Sequence, residues 1–254
     1  MSFVAIIPAR LASTRLPRKP LADIGGAPMV VRVAQRAQAT RADRVVVAAD
    51  CEEIVAACRA HGINALLTSP QHETGTDRLA EAARLLGLGK EQIVVNVQGD
   101  EPLIPAAVID DVAHLLDRSP DCQIATAAHA IADAEEFFNP NVVKVVTDQK
   151  NRALYFSRAP IPWAREAFAG SRGTLPPAYP ARRHIGLYAY RVGFLDRFPT
   201  LSPDALEVAE RLEQLRALAH GFRIAVLGLE AALPPGVDTP ADLEHVRALY
   251  AAQR

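Results

Sequence analysis

Apolar residues along this chain alternate between two patterns. Short, near-continuous runs stand at 3–7 (Phe3-Val4-Ala5-Ile6-Ile7, stopping at Pro8), 44–49, 63–67 and 92–97, the length and composition of strands buried on both faces. Between them the apolar positions shift to helical spacing. Val30, Val33, Ala34 and Ala37 recur at i, i+3, i+4, i+7; Ile54, Val55 and Cys58 follow, then Leu79, Ala82, Ala83 and Leu86 within 76–86, and Val108, Val112, Leu115 and Leu116. Strands separated by amphipathic helices predict an α/β fold, a mainly parallel central sheet with helices on both faces. From about 120 to 200 the pattern differs. Strand-like segments (123–130, 142–147, 152–157, 184–190) follow one another without long helices, and Pro160, Pro162, Pro176, Pro177, Pro180, Gly170 and Gly173 punctuate them. This stretch reads as a sheet extension plus an arm, with 164–182 an exposed, mobile loop. A helix (204–219), a strand (222–228) and a last helix (240–252) end the sequence. Thr239 is placed to cap the last helix, with Pro240 at its first position and Asp242 at its third.

Length and composition fit one domain over 1–254. The net charge of −1 leaves no global basic field of the kind that marks nucleic-acid binders. No apolar run approaches about 18 residues, and the N-terminus enters a strand directly, so neither membrane insertion nor export is expected. Cys51, Cys58 and Cys122 form no C-x-x-C pair and are odd in number. A reducing cytoplasm is the expected home, and Cys58 reads as core packing.

Charge is concentrated locally. After the first strand come Arg10, Arg15, Arg18 and Lys19, with Ser13 and Thr14 among them and no acid in the loop. Such a cluster at the carboxyl end of a strand needs an anionic partner, and a polyphosphate fits. There is no G-x-x-x-x-G-K-[ST], and Gly25-Gly26 is not a dinucleotide fingerprint, which leaves this loop to hold phosphates. Asp100 directly follows the apolar strand at 92–97, beside Gly99, and Asp238 precedes the last helix. Two carboxylates of this kind suit magnesium, which completes its shell with phosphate oxygens and water. Asp238 can equally serve the helix cap, and Glu101 can simply face water. In the segment from Thr68 to Arg78, Thr74, Gly75 and Arg78 can contact a base, while Thr74 or Thr76 can equally be a helix cap.

The motifs IIPAR-LASTRLP-x-KPL, VNVQGDEPLIP (95–105), FNPNVVKVV (138–146), ALYFSRAPIPW (153–163), RHIGLYAYR (183–191), LEQLR (212–216) and GVDTPADLE (236–244) occur in this order. Together they resemble the cytidylyltransferases that activate acidic sugars as CMP conjugates, the CMP-Kdo synthetase (3-deoxy-manno-octulosonate cytidylyltransferase) family among them. The resemblance implies a Rossmann-like nucleotidyltransferase fold with a β-rich dimerisation arm, a homodimer, and CTP and Kdo as substrates. It assigns CTP to Pro8, Ala9, Arg10, Ser13, Arg15, Lys19, Thr74, Gly75 and Arg78. It also assigns Mg2+ to Asp100 and Asp238, with Lys19 catalytic beside them. Sugar-acid contacts fall to Gln98, Arg158, His184, Tyr188, Glu213 and Gln214. Of these, His184 and Tyr188 share a strand face by their spacing, and Glu213 and Gln214 sit mid-helix, where a solvated face is the simpler reading. His61, His72, His114, His129, His220 and His245 read as surface or helix residues. One position departs from the family, Arg18, where glycine is usual. The reaction implied is transfer of CMP from CTP to the anomeric hydroxyl of Kdo, feeding lipopolysaccharide synthesis. The alternatives are a sister enzyme acting on a neuraminate-type or 8-amino sugar acid, and a non-catalytic nucleotide-binding protein.

Overall fold

The computed structural model describes residues 2–72, 74–170 and 172–252. Glu73, in the Thr68–Arg78 segment, and Ser171, in the 164–182 loop, lie outside the described residues. The described residues form nine strands: β1 (Phe3–Ala9), β2 (Arg44–Ala49), β3 (Ala65–Leu67), β4 (Ile93–Asn96), β5 (Ile124–Ala130), β6 (Lys144–Thr147), β7 (Ala153–Ser157), β8 (Arg182–Arg191) and β9 (Ile224–Leu229). The helices are α1 (Met29–Gln38), α2 (Glu52–Ala60), α3 (Gly75–Leu85), α4 (Ala106–Asp117), α5 (Ala134–Phe138), α6 (Val192–Arg197), α7 (Ala205–Glu210), α8 (Gln214–Ala219) and α9 (Pro240–Ala252). The chain divides into two compact units. The first comprises Met1–Asp117, Leu187–Pro199 and Leu233–Arg254, and the second Arg118–Gly186 and Thr200–Ala232.

In the first unit β3, β2, β1 and β4 are parallel neighbours in that order, and the end of β8 adds to β4 antiparallel, with Asn96 opposite Tyr188. The apolar runs are buried as expected of two-sided strands: Ile6, Ile7, Val47 and Val95 are fully enclosed. α1 packs on β1 and β2 beside α2 and α4, and α3 packs on β1 and β2 beside α6, so helices cover the sheet as the alternating pattern requires. β1 runs two residues beyond the expected stop at Pro8. Ile6 O accepts from Val97 N, and Ala9 O accepts from Asp50 N. By alternation the missing N–H of Pro8 therefore faces the β4 side, past Asn96, where β4 has already ended, and no ladder bond is lost.

A separate cluster of Leu16, Ile24, Met29, Leu103, Val237, Leu243 and Val246 lies in this unit. It is made largely of single apolar residues from polar loops. Leu16 comes from the basic loop, Leu103 from just after Asp100, and Val237 from just before Asp238. Each is shielded from water, and burying a side chain of this size is worth roughly 1.5–3 kcal/mol. The cluster thus fixes the backbone around three charged positions. α9 begins as expected: Thr239 Oγ1 accepts from Asp242 N at 3.2 Å, and Asp242 Oδ2 accepts from Thr239 N at 2.8 Å and Asp238 N at 3.0 Å.

In the second unit β5 and β9 are parallel, β6 and β7 form an antiparallel hairpin, and β8 meets β6 at Arg183 opposite Lys144. One expectation is corrected here and another is refined. The segment 164–182 is mostly exposed, as expected, but it carries a local core. Phe168, 5% exposed, packs with Ile131, Phe137, Val142 and Ala181, and its ring lies 5.0 Å from Trp163 and 5.7 Å from Tyr179. Its aromatic residues supply a local core that the proline and glycine content conceals. The helix expected over 204–219 is two helices. Asp204 caps α7 with a capping box, Arg211 takes a left-handed conformation (φ 56°), and α8 starts afresh at Gln214. Glu207 ties the two, accepting from Arg216 Nε at 2.7 Å and Nη2 at 2.6 Å.

Among the described residues no helix is long and apolar enough to cross a membrane.

Candidate active site

The basic loop leaves β1 tethered to the end of β2, because the Asp50 carboxylate accepts from Leu11 N at 3.0 and 3.1 Å. Buried Leu16 then anchors its middle while Arg10, Thr14 and Arg15 stay exposed and Ser13 half-buried. Arg18 adopts φ 57° and ψ 32°, the left-handed region, and its carbonyl accepts from Leu21 N to start a 3-10 turn at Lys19–Leu21. Gly99 brings Asp100 in from β4. A Cβ on Gly99 would lie 2.9 Å from Pro8 O, so only glycine allows this approach. Val237 N donates to Asp100 O at 2.8 Å, which stitches the Asp238 loop to the Asp100 loop.

These elements converge on one ammonium. Lys19 Nζ lies 2.7 Å from Asp100 Oδ2, 3.0 Å from Asp238 Oδ1 and 2.9 Å from Val237 O. Arg15 Nη2 stands 3.2 Å from Asp238 Oδ2. Burial works against the Lys19 charge, but the charge and hydrogen bond of Asp100, then those of Asp238, outweigh it and raise its pKa above the ordinary lysine value. The carboxylate of Asp238 faces these cations, and Asp242 caps α9, so the capping reading of Asp238 gives way.

The loop's cations are also less uncompensated than they read in sequence. Arg15 pairs with Asp238, Arg18 with Glu53 and Lys19 with Asp100, each acid coming from a distant segment. Arg18 carries left-handed strain of about 1–2 kcal/mol, against an exposed ion pair worth roughly 0–1 kcal/mol. Arg18→Gly is accordingly expected to leave the urea midpoint unchanged or raise it slightly. A fall in stability of more than about 1 kcal/mol would show that the Glu53 pair outweighs the strain.

Asp100 Oδ2, Asp238 Oδ1 and Val237 O are hard oxygen donors directed at one cation position, and this set fits a divalent ion. No group of three or more His, Cys, Asp or Glu able to hold a metal occurs among the described residues, so phosphate oxygens and water would complete the shell.

The second loop segment is held by its own side chains. Thr74 is the cap of α3, its Oγ1 accepting from Asp77 N at 3.1 Å, so the capping reading holds. Gly75 opens the helix with nothing within 4 Å of a Cβ. Arg78, 3% exposed, donates to Thr68 Oγ1 at 2.5 Å and Ser69 O at 3.2 Å, which commits much of its guanidinium to the loop. His72 is half-buried and tied down: its Nε2 lies 2.6 Å from Glu81 Oε2, which also accepts from Ser69 N. His129, in β5, is buried, contrary to the surface reading.

The remaining candidates divide between the units. In the first, the main-chain carbonyl of Gln98 accepts from Glu101 N, and Tyr188 stacks on Tyr190 at 5.7 Å. In the second, Arg158 donates from Nε to Glu210 O at 2.8 Å and from Nη1 to Pro140 O at 3.1 Å. Glu210 accepts in turn from Ser157 Oγ and Arg158 N. Lys144, fully buried, donates to Asn139 O, Val142 O and Arg158 O at 2.6–3.0 Å. Sequence reasoning passed over both Lys144 and Glu210, although a lysine inside the apolar run VVKVV is a legible signal that partners must exist. Glu213 and Gln214 are not mid-helix but at the start of α8. Gln214 is buried and its Nε2 has no hydrogen-bond partner among the described residues, an orphan donor that a solvated face would not leave.

His184 Nε2 lies 3.0 Å from Thr126 Oγ1, whose proton goes to Ile185 O, so Nε2 is placed as the donor to Thr126. Burial pushes its pKa down to about 3. The unfolded chain takes up this proton near pH 6.5 and the folded chain does not. Stability is therefore undiminished above pH 6.5 and falls as pH drops from there toward about 3, by up to about 1.4 kcal/mol per pH unit. The His184 ring-proton NMR shifts are expected to stay flat from pH 8 to 5; a midpoint near 6.5 would refute the lowered pKa.

A family model described as Cytidylyltransferase matches residues 4–224. The chain belongs to the cytidylyltransferases. A solved CMP:2-keto-3-deoxy-manno-octonic acid synthetase complexed with CTP is similar to it at 40% identity and TM-score 0.90, over 100% of this chain and 99% of that one. A cytidylyltransferase from Leptospira borgpetersenii serovar Hardjo-bovis shares the fold at 14% identity and TM-score 0.61, over 99% and 87%. This cytidylyltransferase is thus a nucleotidyltransferase, an enzyme class that typically uses a divalent metal. All of its expected nucleotide and metal residues, from Pro8 to Asp238, lie in the first unit.

Proposed function

We propose that this cytidylyltransferase transfers CMP from CTP to the anomeric hydroxyl of Kdo, giving CMP-Kdo and diphosphate for lipopolysaccharide synthesis, as a cytoplasmic homodimer. The observation that carries this reading is the full-length, 40% identical likeness to a synthetase of the same CMP-sugar acid. Arg10, Ser13, Arg15 and Lys19 take the triphosphate, the arginines by forked hydrogen bonds and Lys19 as a point charge. Pro8, Ala9, Thr74, Gly75 and Arg78 surround the nucleoside. Asp100 and Asp238 hold magnesium, which supplies neutralisation of the α-phosphate and a lowered pKa for the attacking hydroxyl. To the sugar acid we assign Gln98 and Tyr188 from the first unit, and Arg158, His184, Glu213 and Gln214 from the second. The neutral imidazole of His184 can hydrogen-bond a sugar hydroxyl without adding charge, and the orphan amide of Gln214 gains a partner when an oxygen arrives. The arm around 120–200 we assign to the dimer contact.

The test is pyrophosphate release with CTP, Mg2+ and Kdo, run beside a neuraminate-type acid and 8-amino-Kdo. Release dependent on Kdo is expected. Equal or faster release with another acid would reassign the substrate, and none with any acid would remove the catalytic reading.

A further inference from the structure

We infer that Lys19 is the cation that holds the Asp100–Asp238 pair before nucleotide arrives, and that a divalent ion enters this position only as a triphosphate draws the ammonium away. The inference rests on the proposed metal role of the two aspartates, but not on the identity of the sugar. Its basis is the position of Nζ, within 3.0 Å of one oxygen from each carboxylate and of Val237 O. Those oxygens are the ones a hard cation would use, so ammonium and metal compete for the same donors. Arg15 adds a second positive charge at Asp238 Oδ2. An incoming divalent ion therefore meets carboxylates already neutralised and a cation in its way.

The two partners in this exchange differ in mobility. The backbone that carries the donors is held in place: Val237 N is bonded to Asp100 O, and Leu103 and Val237 are buried on either side. The lysine is fixed at its base, since Pro20 is buried and Leu16 is anchored, but it carries its charge on a flexible four-carbon stem. A triphosphate beside the basic loop offers the ammonium a new anion, and the vacated oxygens then accept the metal that accompanies the nucleotide. Metal and CTP binding become positively coupled, and linkage makes the coupling equal in both directions. The arrangement also protects the fold, because two adjacent carboxylates are never left facing each other without a cation.

The test is Mn2+ binding to the full-length, nucleotide-free protein, read by the loss of free Mn2+ signal in electron paramagnetic resonance. Lys19→Met is expected to bind Mn2+ about tenfold or more tightly than the wild type, since the competing charge is gone. Lys19→Met/Asp100→Asn should lose that gain, which assigns it to this pair. CTP should tighten Mn2+ binding in the wild type and much less in Lys19→Met. Melting in EDTA provides a second measurement: Lys19→Met should melt lower than the wild type and recover more on adding Mn2+. Should Lys19→Met not fold, Lys19→Gln replaces it, with the same direction expected. Mn2+ affinity equal to or weaker than wild type in a folded variant would overturn the exchange. Failure of this test with Kdo turnover intact removes only the role of Lys19. Tight Mn2+ binding without turnover of any sugar acid removes only the substrate assignment.

Discussion

Asp100→Asn and Asp238→Asn are each expected to lower kcat by roughly a thousandfold, the scale of losing a group that organises charge in the transition state. The structure says why the loss should be chemical and not structural. Asparagine is nearly the size of aspartate. The contact joining the two loops is the backbone bond from Val237 N to Asp100 O, which neither change touches. The start of α9 relies on Asp242 and Thr239 and does not need the Asp238 carboxylate. CTP binding measured by calorimetry should weaken much less than kcat, because Arg10, Arg15 and Lys19 remain. The double variant should be little worse than either single one, since both carboxylates serve one ion. Glu101→Gln, which leaves both carboxylates in place, should be milder than either. A folded Asp238→Asn enzyme with near-normal turnover at saturating Mg2+ would end the paired-carboxylate mechanism and leave Asp238 as a counter-ion for Arg15.

The alternation of apolar strand and amphipathic helix was legible up to Asp117 because each element there follows its local period. β1, β2, β4 and α1 to α4 lie close to where the pattern puts them. Beyond 117 local pattern is a weaker guide. The break at Arg211 depends on a left-handed residue that is not glycine, and on an ion pair between Glu207 and Arg216 nine positions apart. No periodicity reports either. The local core within the exposed 164–182 segment was hidden for the opposite reason: its prolines and glycines outnumber the few aromatic residues, yet Phe168 and Tyr179 decide its packing. Within the site, Asp100, Asp238 and the basic loop were visible as charge placed at strand and helix ends. Their arrangement around Lys19 was not visible, since it depends on Leu16, Leu103 and Val237 sharing a cluster across more than 200 residues of sequence. Apolar residues standing alone between charged ones were the available signal.

The approach of β4 to β1 makes Gly99→Ala the most damaging change predicted away from the charged groups. The new methyl would lie 2.9 Å from Pro8 O and 3.7 Å from Ile7 Cγ2, and the first of these is a backbone atom that cannot rotate aside. Pro8 is paired in register with Ala48, and Ala9 O is bonded to Asp50 N, so β1 resists displacement. The shift must be taken up by Gln98, Gly99 and Asp100. On the far side, Gly236 is already close, with its own Cβ position 3.3 Å from Asp100 O. Asp100 therefore moves relative to Lys19 and Asp238 instead of the whole assembly moving together. Overpacking of this kind costs about 1–3 kcal/mol, and a displacement near 1 Å at reacting groups can cost about a hundredfold in rate. Gly99→Ala should thus lower both Tm and kcat, with kcat falling on the order of tenfold to a hundredfold. Gly75→Ala is the matched comparison. Its Cβ would meet nothing within 4 Å at the first position of α3, so Tm should hold or rise. Any loss there should appear in KM for CTP, where a nucleoside would have to approach. Wild-type Tm and kcat in Gly99→Ala would mean that the strand end yields freely, and that the position of Asp100 is set by some other contact.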